Sequence, residues 1–121
     1  MKTIVVIEDH EPMVKLLRKL LENAGYQVVA FSAGADALKF FADQAAGLAV
    51  VDLNLPGISG DLLASEIRHR QPDIKILLVS GIMQPQEISG LLQPDQIAFL
   101  AKPWHNQDFL KQVQALCPLE P

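Results

Sequence analysis

Hydrophobic and polar positions along this chain follow two patterns in turn, short continuous apolar runs and stripes of helical period, and each change of pattern marks the join between a strand and a helix. Thr3 to Ile7 is β-branched throughout, as suits a parallel strand buried on both faces. After Glu8-Asp9-His10 the pattern changes to that of a helix. Met13, Leu16, Leu17, Leu20, Leu21 and Ala24 share one face, Pro12 takes the first helical position and Gly25 is the stop. Tyr26 to Phe31 is a second strand, closed by Ser32. Gly34 opens a second helix whose apolar part is Ala37, Leu38, Phe40, Phe41 and Ala45, ending near Gly47. The run Leu48-Ala49-Val50-Val51 stops at the carboxylate of Asp52, and the chain then turns through Pro56-Gly57. A third helix follows Gly60, with Leu62, Leu63 and Ile67 inward and Glu66, Arg68 and Arg70 outward, until Pro72 ends it.

The fourth strand, Ile74 to Val79, leads into Ser80-Gly81. Pro85, Gly90 and Pro94 interrupt the segment from Ile82 to Gln96, where Ile88, Leu91 and Leu92 allow about two turns of helix. Ile97 to Ala101 is a fifth strand ending in Lys102-Pro103. Asn106 caps a last helix carrying Phe109, Leu110, Val113 and Leu116 inward. Residues 117–121 read as a loose tail or the start of a linker, so the ordered core is expected to run over about 2–116. Such regular alternation implies one α/β domain over 1–121, with an all-parallel five-stranded sheet, right-handed crossovers and helices on both faces.

Composition narrows the class. The chain has 121 residues, half of them hydrophobic, enough for one domain that buries roughly two thirds of its unfolded surface. Lys plus Arg is 10 against 14 for Asp plus Glu, a net charge of −4 with no basic run, which argues against direct nucleic-acid binding. No apolar stretch approaches a bilayer span, and no signal peptide is evident, so no membrane association is expected. A single cysteine, Cys117, excludes an internal disulfide framework and fits a reducing cytoplasm.

The candidate chemistry stands at the strand ends. In an open α/β sheet ligands bind outside the carboxyl ends of the strands. There the first strand offers Glu8 and Asp9, the third Asp52, the fourth Ser80 and the fifth Lys102. Asp52 alone could be a metal ligand, a base, a nucleophile or a turn cap. Three carboxylates so close favour a hard divalent cation, Mg²⁺ foremost. The lysine and hydroxyl opposite them ask for an anion, and phosphate is the anion that also bridges to Mg²⁺, with an aspartate as its acceptor.

These residues carry a resemblance over essentially the whole chain. The acidic pair Glu8-Asp9, then Asp52-Leu53-Asn54-Leu55-Pro56 with Gly60 beyond, Ser80-Gly81, and Lys102-Pro103 before the aromatic Trp104 resemble a response-regulator receiver domain of two-component signalling. The resemblance implies the flavodoxin-like (βα)5 fold with strand order 2-1-3-4-5. It implies that Asp52 accepts a phosphoryl group from a sensor histidine kinase or a histidine phosphotransfer protein. Asp9, Asp52 and the backbone carbonyl of Asn54 would ligate Mg²⁺, or Mn²⁺ in its place, with Glu8 acting largely through water. Lys102 would pair with the phosphoryl oxygens, and its bond to Pro103 would be cis. Ser80 would hydrogen-bond the phosphoryl group, and Phe99 would turn inward as Ser80 moves. The surface of the fourth helix, fifth strand and fifth helix would then change toward an output domain or protein, or toward a second copy in a homodimer. The chain would be a signalling switch that catalyses only its own Mg²⁺-dependent phosphorylation and dephosphorylation.

Two features qualify the match. The crowded helix breakers between Ile82 and Gln96 predict a short, mobile fourth helix and a partner surface that departs from the usual one. The competing functions are an aspartate-nucleophile phosphatase, disfavoured because Asn54 stands where a second Asp is wanted, and a phosphorylation-independent interaction module with the receiver fold. Nucleotide binding lacks its glycine-rich loops. The histidines His10, His69 and His105 show no metal-site spacing and read as surface residues.

Overall fold

The computed structural model describes residues 2–55, 57–80 and 97–119. Its elements are β1 (Thr3–Ile7), α1 (Glu11–Asn23), β2 (Gln27–Phe31), α2 (Gly34–Phe40), β3 (Leu48–Asp52), α3 (Gly60–Arg70), β4 (Lys75–Ser80), β5 (Ile97–Ala101) and α4 (Asn106–Leu116). The five strands form one sheet in the order β2-β1-β3-β4-β5, with every neighbouring pair parallel. This is the flavodoxin-like, doubly wound topology, whose strand order reverses between β1 and β3. The fourth helix expected within 82–96 lies outside the described residues, and α4 is the last helix of the sequence reading. No helix among the described residues is long and apolar enough to cross a membrane.

The uniformly apolar central strands are explained by two cores. Val5, Ile7, Ala49, Val51, Ile76 and Leu78 point to the side covered by α2 and α3, where Ala37, Leu63, Ala64 and Ile67 meet them. Ile4, Val6, Leu48, Val50, Leu77 and Val79 point to the other side, onto Leu17 and Leu21 of α1 and Phe109 and Val113 of α4. Because side chains alternate across a strand, a strand flanked by helices on both faces must be apolar at every position; β3 is buried throughout.

The helices depart from the expected boundaries in instructive places. Leu17 and Leu21 carry α1 onto the sheet with Met13, Leu20 and Ala24 beside them, whereas Leu16 is 38% exposed. Leu62 of α3 is likewise exposed, leaving Leu63, Ala64 and Ile67 inside. Each outlier sits about 100° around the helix from its buried neighbour, beyond the width of the sheet contact. Arg68, expected outward, has its Nε and Nη1 out of solvent contact. Ala45 lies outside α2, which stops at Phe40. The chain beyond is held instead by Gln71, whose side chain accepts from the Ala46 N–H (3.1 Å) and donates to the Ala46 carbonyl.

The last helix is entered differently from the expectation. His105, not Asn106, is its N-cap, with extended backbone and no side-chain capping bond. Trp104 stacks on Phe109, ring centroids 5.6 Å apart, which pairs the residue before the cap with the fourth helical residue as a hydrophobic staple. The core also runs one residue past the expected limit. Cys117, assigned to a loose tail, is buried, and its carbonyl accepts a 2.6 Å hydrogen bond from the Tyr26 hydroxyl. Burial raises the Cys117 thiol and the Tyr26 phenol above their ordinary pKa values. That junction closes the edge of the sheet opposite the carboxyl ends of the strands.

Candidate functional site

Parallel pairing brings the strand-end residues to one edge. Asp52 is in register with Val79, and Ser80 with Ala101. Backbone bonds continue the ladders past the strands: Glu8 N–H donates to Phe31 O at 3.0 Å, Leu53 N–H to Val79 O at 2.9 Å, and Lys102 N–H to Ser80 O at 2.8 Å. The strand-end side chains are thus mounted on hydrogen-bonded main chain, which fixes them more closely than a free loop would. Glu8, Asp9 and Asp52 stand where the strand order reverses, the usual ligand crevice of such sheets.

One ligand oxygen from each of Glu8, Asp9 and Asp52 lies within 4.8 Å of the others. Glu8 and Asp52 are buried at 2% and 3% exposure, while Asp9 is exposed. The Lys102 ammonium binds both buried carboxylates, 3.1 Å from Glu8 Oε1 and 3.4 Å from Asp52 Oδ2. The Lys102–Pro103 peptide bond is cis. Burial pushes the Glu8 carboxyl up to about 7; the neighbouring Asp52 adds to the rise and Lys102 opposes it. Two carboxylates facing one ammonium leave one surplus negative charge out of water, so the site has a need for positive charge that a proton or a cation meets. All-oxygen donors of this kind suit a hard divalent cation.

The loop after β3 is organised around Asp52. Asn54 N–H donates to Asp52 Oδ1 at 2.9 Å, an Asx-type turn, and Asn54 Nδ2 donates to Ser80 Oγ at 3.3 Å. Ser80 is buried. Gly60 lets α3 begin directly beneath this loop: a Cβ there would stand 2.5 Å from Leu53 Cα and 3.0 Å from Asp52 O. Beside Glu8 and Asp9 a cleft of about 380 Å³ opens to solvent, walled by Lys15 and Arg18 of α1 and by Phe31 and Ser32.

Glu8, Asp9, Asp52, Asn54, Ser80 and Lys102 therefore converge, from positions scattered over most of the chain. Phe99 does not join them directly; it is half-buried and packs with the core under α2 and α3. His10, His69 and His105 are exposed. The sequence places Asn54 beside the reaction site, with its backbone carbonyl as a metal ligand, but does not reveal the contact of its side chain with Ser80. The contact with Ser80 spans 26 positions, and no spacing rule signals such a pair.

Comparison with known proteins places the arrangement among relatives. The response regulator receiver domain family model matches residues 4–114. The response regulator receiver protein CpdR of Brucella abortus is 30% identical over 96% of this chain and 97% of its own length. The transcriptional regulatory protein CssR of Bacillus subtilis is 29% identical over 97% of this chain, which spans about half (52%) of that longer protein. Among solved structures, the response regulator protein TrrA from Thermotoga maritima, in complex with Mg²⁺-BeF, is similar with a TM-score of 0.85 at 29% identity, covering 96% of this chain and 99% of that one.

Proposed function

The chain belongs to the response regulator receiver domain family, and from that premise we propose that it is a phosphoacceptor switch whose acceptor is Asp52. A carboxylate oxygen of Asp52 attacks the phosphorus of a phosphohistidine on a sensor histidine kinase or phosphotransfer protein. The P–N bond breaks, the imidazole leaves with its electron pair, and an acyl phosphate remains on Asp52. Asp9, Asp52 and the Asn54 backbone carbonyl are the residues that would hold Mg²⁺, with Glu8 bound through water; Mn²⁺ shares the preference for oxygen and would substitute. The cation, when bound, neutralises charge developing on the phosphoryl oxygens.

The remaining steps belong to the chain's own groups. Lys102, 24% exposed and already at Asp52, transfers its ammonium from the carboxylates to the phosphoryl oxygens. Ser80 donates its hydroxyl to the same group. Phe99 follows Ser80, and the surface that includes β5 and α4 changes toward an output domain, an output protein or a second copy. The single observation that carries this reading is the ammonium of Lys102 held against two buried carboxylates beside an exposed third. That arrangement is balanced by one cation and completed by an anion.

Intact-mass spectrometry after incubation with acetyl phosphate and Mg²⁺ tests it. The expected result is a labile gain of one phosphoryl group in the wild type, absent in Asp52→Asn and abolished by chelation. A protein that gains nothing from acetyl phosphate or from a phosphorylated kinase, yet keeps its fold, would instead be a phosphorylation-independent binding module.

A further inference from the structure

Asn54 makes two contacts that together tie the acceptor to the hydroxyl beside it. Its backbone N–H donates to Asp52 Oδ1 at 2.9 Å, and its side-chain amide donates to Ser80 Oγ at 3.3 Å. The two contacts have different chemical consequences. A serine hydroxyl holds one donor proton and two acceptor lone pairs. An amide N–H can only take a lone pair, so it leaves the hydroxyl proton for another acceptor and, by polarising the O–H, makes that proton a stronger donor. Ser80 is 1% exposed and its backbone carbonyl is tied to Lys102 N–H, so the hydroxyl has little freedom beyond its torsion. Asn54 itself is exposed, and packing does not explain its amide.

We propose that Asn54 is a positioning residue for phosphoryl-group recognition: its side-chain amide holds Ser80 Oγ through a lone pair and so presents the Ser80 proton to an anion on Asp52. This rests on the phosphoacceptor reading and deepens it. Asn54 acts through Ser80 and need not touch the phosphoryl group with its side chain. Substituting alanine keeps the Asn54 backbone N–H and carbonyl, and hence the Asp52 contact and the proposed cation ligand, while deleting only the amide.

The test is a double-mutant cycle on the affinity for beryllofluoride, a phosphoryl mimic, measured by calorimetry at saturating Mg²⁺ for the wild type, Asn54→Ala, Ser80→Ala and the double variant. The Mg²⁺ affinity of each variant is titrated separately. Asn54→Ala is expected to weaken beryllofluoride binding roughly two- to tenfold, the worth of one neutral hydrogen bond, and to have no effect once Ser80 is alanine. The separate Mg²⁺ titration corrects for any shift of the Asn54 carbonyl, so that the cycle reads the amide alone. Asn54→Asp, which places an acceptor where the donor stood, should weaken binding further when Ser80 is present. An equal Asn54→Ala effect with and without the Ser80 hydroxyl would overturn the proposal, and so would tighter binding, which would make the amide a restraint. Wild-type protein that binds Mg²⁺ but no beryllofluoride would overturn the phosphoacceptor reading itself, and the Asn54 role with it.

Discussion

Lys102 and Glu8 lie 94 positions apart in the chain, yet the Lys102 ammonium sits 3.1 Å from Glu8 Oε1. Glu8 follows β1 and Lys102 follows β5, and the strand order puts β3 and β4 between them. The lysine therefore reaches across the sheet edge, passing Asp52 at 3.4 Å on the way. Before any anion arrives, its charge is committed to the two buried carboxylates.

Removing that ammonium should be felt first in stability. Lys102→Met leaves two buried carboxylates facing each other, so with metal chelated at pH 8 the protein should lose about 2–4 kcal/mol by urea unfolding. Mg²⁺ affinity measured by calorimetry should rise, because a competing cation is gone. Phosphoryl gain from acetyl phosphate should nevertheless fall at least about tenfold, since the anion has lost its partner. Unchanged stability together with weaker Mg²⁺ binding would contradict the ion pairing described.

The raised Glu8 carboxyl makes stability depend on pH. With its pKa lifted from 4.5 to about 7, the folded protein holds this proton more tightly than the unfolded chain does. The associated stability is fully present below about pH 4.5 and is lost as pH rises through about 7, on the order of 3 kcal/mol at most. Chelated protein unfolded at a series of pH values should show that decline, and Glu8→Gln should flatten it. Metal affinity should rise over the same window, as bound cation displaces the proton.

Gly60 is required by space. A methyl group there would meet Leu53 Cα at 2.5 Å and Asp52 O at 3.0 Å, main-chain atoms that cannot swing aside. Gly60→Ala should cost about 1–3 kcal/mol in thermal or denaturant unfolding and displace the loop after Asp52, weakening Mg²⁺ binding as well. A variant with wild-type stability and Mg²⁺ affinity would show that α3 can shift freely relative to β3.

The far end of the sheet should separate stability from chemistry. Tyr26→Phe removes the 2.6 Å bond to the Cys117 carbonyl and leaves that carbonyl buried without its donor, costing about 1–3 kcal/mol. Because this junction lies at the opposite sheet edge from Asp52, phosphoryl gain by intact mass should be unchanged. A parallel loss of both would show that the two ends of the sheet are coupled.

Much of this protein was decided locally. The alternation of uninterrupted apolar runs with apolar stripes of period 3.6 determined the five strands and the four described helices, because burial on both faces of a parallel strand demands apolar residues at every position, and packing on a sheet demands one apolar stripe per helix. The polar residue that ends each such run determined which groups would share an edge, and these carried the resemblance that the family match bears out. Tertiary structure decided the rest. Periodicity says that Leu16 and Leu62 lie near an apolar face, but only the width of the sheet contact leaves them exposed. Asn106 looks like a cap, but Trp104 stacking on Phe109 sets where α4 begins. Glu8 and Asp9 are adjacent carboxylates, and only their places on the finished edge bury one against Lys102 and leave the other in water. Asn54 meets Ser80 because β3 and β4 pair in register, a long-range fact that no local spacing encodes.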